Sequence, residues 1–93
     1  MKWIEVIMVR SAGSSAETLE ATLQDIMSKV AIKAEHGTIR VFRREKLDLD
    51  ICIVLFHSEK KARTGGSTLG LHLVSALMEI GLVNHTIWDE IEP

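Results

Sequence analysis

The run Thr64-Gly-Gly-Ser-Thr-Leu-Gly-Leu-His-Leu-Val-Ser-Ala-Leu-Met-Glu-Ile-Gly81, continued by Leu82-Val-Asn-His-Thr-Ile-Trp-Asp-Glu90, decides the fold of this 93-residue chain. Two glycines free the backbone before Ser67, and apolar residues then recur at helical spacing, so a helix is expected from Ser67 to Ile80. Gly81 supplies the stop, and the alternation that follows predicts a strand from Leu82 to Ile91.

Working outward, Lys2 to Arg10 reads as a first strand. Ile4, Val6 and Met8 point one way and Trp3, Glu5, Ile7 and Val9 the other; neither face is polar, the pattern of a central strand. Ser14 and Glu17 have capping-box spacing at the head of a helix, along which Leu19, Leu23, Ile26, Met27, Val30 and Ala34 recur. Gly37, after His36, is the expected stop. Thr38 to Arg44 alternates, with Ile39 and Val41 against Arg40, Phe42 and Arg44, which predicts a half-exposed edge strand. Glu45 to Leu49 reads as a charged turn, Asp50 to His57 as a strand apolar on both faces, and residues 58–66 as one long loop.

The order βαββαβ in so short a chain predicts a single α+β domain over residues 1–93, a ferredoxin-like sandwich. Its four-stranded antiparallel sheet has the order 4-1-3-2, with both helices on one face. Ile39, Val41, Val83, Ile87 and Ile91 are expected to point at the helices. Trp3, Phe42 and Trp88 are assigned to the helix-free face, Trp3 with Ile7 and Val9; the alternative puts Ile4, Val6 and Met8 there instead. So much exposed apolar surface predicts a homodimer through that face, with room for a cavity between two sheets. In the second helix Thr68, His72, Ser75 and Glu79 form a narrow polar row and the rest is apolar, which predicts burial on more than the sheet-facing side.

Composition removes several classes of function. The net charge of -2 argues against nucleic acid and anionic membranes, and the Asp50–His57 strand lacks the basic-Gly-aromatic pattern of an RNA platform. No apolar run approaches the roughly 18 residues of a membrane span, and no basic-then-apolar leader follows Met1, so a soluble cytoplasmic chain is expected. Cys52 is the sole cysteine, which rules out an intrachain disulfide and favours a buried thiol. His36, His57, His72 and His85 show no metal-ligand spacing, so no metal or cofactor is expected.

Two helix N-termini remain as anion sites. Arg10, Arg43, Arg44 and Lys46 can gather at the first, opposed by Glu17. The second is the better cradle for a phosphate or carboxylate: Gly65, Gly66, Ser67 and Thr68 offer backbone N–H groups, no acid sits in the first turn, and Lys60, Lys61 and Arg63 add positive charge. Asp89, Glu90 and Glu92 lie at the same end and can neutralise those lysines. No nucleophile has an evident base and orienter, so no catalytic residue is assigned. The sequence therefore reads as a small dimeric binding or regulatory module for a small anionic ligand, rather than an enzyme. Two alternatives stand beside it: a dimeric α+β barrel enzyme acting on a small organic molecule in a cavity lined by Trp3, Phe42 and Trp88 with His85 nearby, or a structural protein-interaction subunit.

Overall fold

Every second residue of β1 (Trp3–Ser11) is buried, and the residues between are half-buried or exposed. Trp3, Glu5, Ile7, Val9 and Ser11 thus form the inner face of the strand. The computed structural model describes residues 3–11, 16–33, 38–45, 47–58 and 64–92. Over these, α1 (Ala16–Lys33), β2 (Thr38–Arg44), β3 (Leu47–His57), α2 (Thr68–Leu77) and β4 (Gly81–Asp89) follow β1 in the expected order.

The sheet runs β2-β3-β1-β4, the expected 4-1-3-2 order read from the other edge. Every neighbouring pair is antiparallel, and β1 is flanked by β3 and β4. Register fixes the faces. Trp3, Glu5, Ile7 and Val9 stand opposite His57, Leu55, Ile53 and Ile51 on one side and Asp89, Ile87, His85 and Val83 on the other. Paired residues share a face, so all of these point the same way. Leu19 and Leu23 of α1 and Leu73 and Leu77 of α2 close over Ile7, Val9, Ile51, Ile53 and Leu55 to make the core, which places both helices on this one face.

The helix-free face carries Ile4, Val6, Met8 and Arg10 with their neighbours Asp50, Cys52, Val54, Phe56, Leu82, Asn84, Thr86 and Trp88. Trp3 is therefore corrected: it lies under the helices at 1% exposure, whereas Phe42 (53%) and Trp88 (58%) stay on the open face. No single cavity can be lined by all three.

Several boundaries differ from expectation for identifiable reasons. Ser67 is extended (φ -79°, ψ 162°) and caps α2 instead of opening it. At the other end the Ile80 N–H bonds to the Leu77 carbonyl at 3.0 Å, a tightened last turn that ends the α-helix before Met78. Strand β4 stops at Asp89, so Ile91 is exposed and does not reach the helices. The polar row of α2 faces solvent as expected, but so do Leu71 and Met78; the helix is fully buried at Gly70, Leu73 and Leu77, with Leu69 and Val74 partly buried against the core. The expected capping box at Ser14 and Glu17 and the stop at His36-Gly37 lie outside the described residues and side chains.

Candidate functional site

Glu5 is fully buried at 0% exposure, in one of the two central strands and under the start of α2. A carboxylate in such a place costs several kcal/mol on the order-of-magnitude scale unless its oxygens are satisfied. Here four polar groups converge on it. His57 Nε2 lies 2.7 Å from Oε1, and the Ser67 backbone N–H donates to the same oxygen at 3.1 Å. The Ser67 hydroxyl donates to Oε1 as well. On the other side His85 Nε2 lies 2.8 Å from Oε2. Both rings meet Glu5 through Nε2, with the donor and acceptor roles set by each ring's tautomer.

Local sequence explains why these groups meet. Glu5 and His85 project from neighbouring strands onto the helix side, and His57 ends β3 on that same face. Gly65 and Gly66 adopt φ of 82° and 101°, a left-handed turn that brings Ser67 over the sheet. A side chain at Gly66 would come within 2.7 Å of Glu5 Oε2, and one at Gly70 would overlap the carboxylate outright. The Ser67 hydroxyl also accepts from the Gly70 N–H at 2.9 Å, so one oxygen caps α2 and holds Glu5. Trp3 stacks on His57 with ring centroids 4.0 Å apart and planes 20° apart. Among the described residues the indole N–H of Trp3 and the hydroxyl of Ser11 are buried without a hydrogen-bond partner.

This arrangement changes the reading of the expected anion cradle. Gly65, Gly66 and Ser67 do form a backbone turn at a helix start, but the carboxyl group that Ser67 holds is the protein's own Glu5. Thr68 is exposed beside it, and Lys60, Lys61 and Arg63 lie outside the described residues. His85 is also corrected: it faces Glu5 on the helix side, away from the open face. Glu5 was missed altogether. Its signal was present, since Glu5 is the only charged residue between Trp3 and Val9 and shares a face with Trp3, Ile7 and Val9.

The arginines at the other end act separately. Arg10 forks onto Asp50, Nε to Oδ1 at 3.2 Å and Nη2 to Oδ2 at 3.3 Å, while Arg44 approaches the same carboxylate at 3.6 Å. Arg43 turns to the helix side and pairs with Glu20 at 2.8 Å. Lys46 lies outside the described residues. A cavity of about 590 Å³ opens here on the helix-free face, against Met8, Phe42, Cys52 and Leu82. It is on the opposite side of the sheet from Glu5. Among the described residues no group of three His, Cys, Asp or Glu is placed to hold a metal ion, and no helix is long and apolar enough to cross a membrane.

No family model and no curated protein matches the chain. Solved structures do. The chain is similar to SnoaB, a cofactor-independent oxygenase from Streptomyces nogalater, with a TM-score of 0.67, 12% identity and coverage of 99% of this chain and 95% of that one. It is similar to Rv0793 from Mycobacterium tuberculosis, with a TM-score of 0.67, 13% identity and coverage of 100% and 98%. It is also similar to PA3566 from Pseudomonas aeruginosa, with a TM-score of 0.64, 15% identity and coverage of 98% and 95%. At such identities the likeness is one of fold alone, an α+β sandwich.

Proposed function

We propose that this protein acts on a small, weakly acidic organic molecule, with His85 as the group that takes the proton. The observation that carries this reading is the 2.8 Å contact between a fully buried carboxylate and an imidazole whose side chain keeps 15% of its surface exposed. Glu5 Oε2 holds the ring through Nε2, which selects the tautomer with a basic Nδ1 and steadies the positive charge that forms there. The step is simple to balance. The substrate C–H or O–H proton goes to Nδ1, and its bonding electrons stay on the substrate as an enolate or phenolate. His57, stacked against Trp3 and bonded to Oε1, holds the second oxygen of the same carboxylate. Chemistry of this kind suits the neighbour described as a cofactor-independent oxygenase, because a substrate that reacts without a cofactor must supply its own electrons.

Deuterium wash-in tests it. Small 1,3-dicarbonyl compounds in D2O, followed by proton NMR, should exchange their acidic C–H faster with the protein than with equimolar imidazole. His85→Gln should lower that rate by about 10²- to 10⁴-fold, the usual contribution of a positioned general base. Exchange no faster than free imidazole, or unchanged in a folded His85→Gln variant, would overturn the assignment.

A further inference from the structure

We infer that the open-face cavity between Arg10, Arg44 and Phe42 is a second site, which binds a small molecule with an apolar body and one carboxylate. Its volume of about 590 Å³ falls in the range of small-molecule pockets, roughly 300–1,000 Å³. The floor is Met8, Phe42, Cys52 and Leu82, and Met8, Phe42 and Leu82 are exposed large apolar side chains. Apolar surface of that extent on one concave patch marks a ligand or partner.

The rim supplies the charge. Arg10 and Arg44 share one carboxylate, Asp50, so two cations meet a single anion among the described residues. Their use of it is unequal. Arg10 spends two donors in a fork, whereas Arg44 reaches Asp50 only as an ion pair at 3.6 Å and makes no hydrogen bond among the described residues. A guanidinium has five N–H donors in a rigid plane that matches a carboxylate edge. Arg44, on the exposed side of β2 next to the cavity, is left with that fork open. The two halves of the patch define the ligand: a fatty or aromatic tail for the floor, a carboxylate for Arg44. This site is on the other side of the sheet from Glu5 and His85, so the two assignments stand or fall separately.

Titration of ¹⁵N-labelled protein with octanoate, and with 1-octanol as the uncharged counterpart, decides the matter. Octanoate should shift the amides of Met8, Phe42, Cys52 and Asn84 saturably and bind at least about tenfold tighter than 1-octanol, as a charge-assisted fork requires. Arg44→Gln should bring octanoate down to the affinity of 1-octanol and leave 1-octanol unchanged. The comparison of the two ligands on the unaltered protein stands even if the variant folds poorly. Equal binding of both ligands, or shifts confined to the Gly66–Gly70 segment, would remove the site. So would a dimer by light scattering whose open-face amides resist exchange and ignore octanoate, since a second copy of the chain would then be the occupant.

Discussion

A methyl group on Gly70 would occupy the space now held by the carboxylate of Glu5. Glycine inside a helix normally costs up to about 1 kcal/mol relative to alanine, so an exposed Gly→Ala change usually stabilises. At this position the order reverses, because the helix can approach β1 only where it has no side chain. Gly70→Ala should destabilise by about 1–3 kcal/mol, the usual range for overpacking. In a thermal melt that is a drop of roughly 4–8 °C per kcal/mol for a domain of this size. A rise in Tm would show that the carboxylate is not where the structure puts it.

Removing Glu5 should hurt more than altering it. Glu5→Ala strands two imidazoles and the Ser67 donors, and losing one side of a buried charged cluster costs about 3–5 kcal/mol. Glu5→Gln keeps the shape and one acceptor but points an amide NH₂ at groups that also donate. Its expected loss is smaller, about 1–3 kcal/mol, the penalty for a buried polar group left unsatisfied. Urea midpoints of the two variants at neutral pH give the order directly, and equal midpoints for Glu5→Gln and wild type would exclude a charged cluster.

The two tryptophans should report opposite environments. Trp3 is buried at 1% exposure against His57, and Trp88 is 58% exposed. With Trp88→Phe, the remaining emission should be blue-shifted and resist acrylamide. With Trp3→Phe it should be red-shifted and quench readily. Because the Trp3 indole N–H has no partner among the described residues, Trp3→Phe removes no hydrogen bond to them, and its stability loss should reflect lost volume. Equal quenching of both variants would place Trp3 on the surface.

Burial pushes the Cys52 thiol up from its ordinary range. A raised value leaves less thiolate at any given pH, and the thiolate is the nucleophile. Iodoacetamide should therefore alkylate Cys52 more slowly than it alkylates glutathione at neutral pH, with the rate profile displaced toward higher pH. A rate matching glutathione would contradict the half-buried position of the thiol.

The architecture was legible because periodicity carries it. Two largely apolar faces placed β1 in the centre, with Glu5 the one charge between Trp3 and Val9, and the half-polar alternation of Thr38–Arg44 placed β2 at an edge. Face assignment was harder on β1, because Trp3 and Ile7 on one side and Ile4 and Val6 on the other are equally apolar, and hydrophobicity cannot choose between them. Partner strands choose, through the pairing of Trp3 with His57 and of Ile7 with Ile53. His85 was recoverable from spacing alone, since it alternates with Val83 and Ile87, which point at the helices. The role of Glu5 was not. A glycine-rich helix start looks the same whether its anion arrives from solvent or from residue 5 of the same chain, and only the fold brings that residue there.

The partners of Glu5 lie 52, 62 and 80 residues further along the chain. None is close in sequence, so no partial chain can shelter the carboxylate. Until β4 is made, β1 carries an acid with nowhere to go and has only one of its two neighbours. Pairing over such separations is slow, because loops must close before contacts repay them. Emerging from the ribosome, this domain should gain its native centre only once β4 has been made. A chain cut before Gly81 should then fail to fold as a whole, instead of losing merely one edge of a sheet.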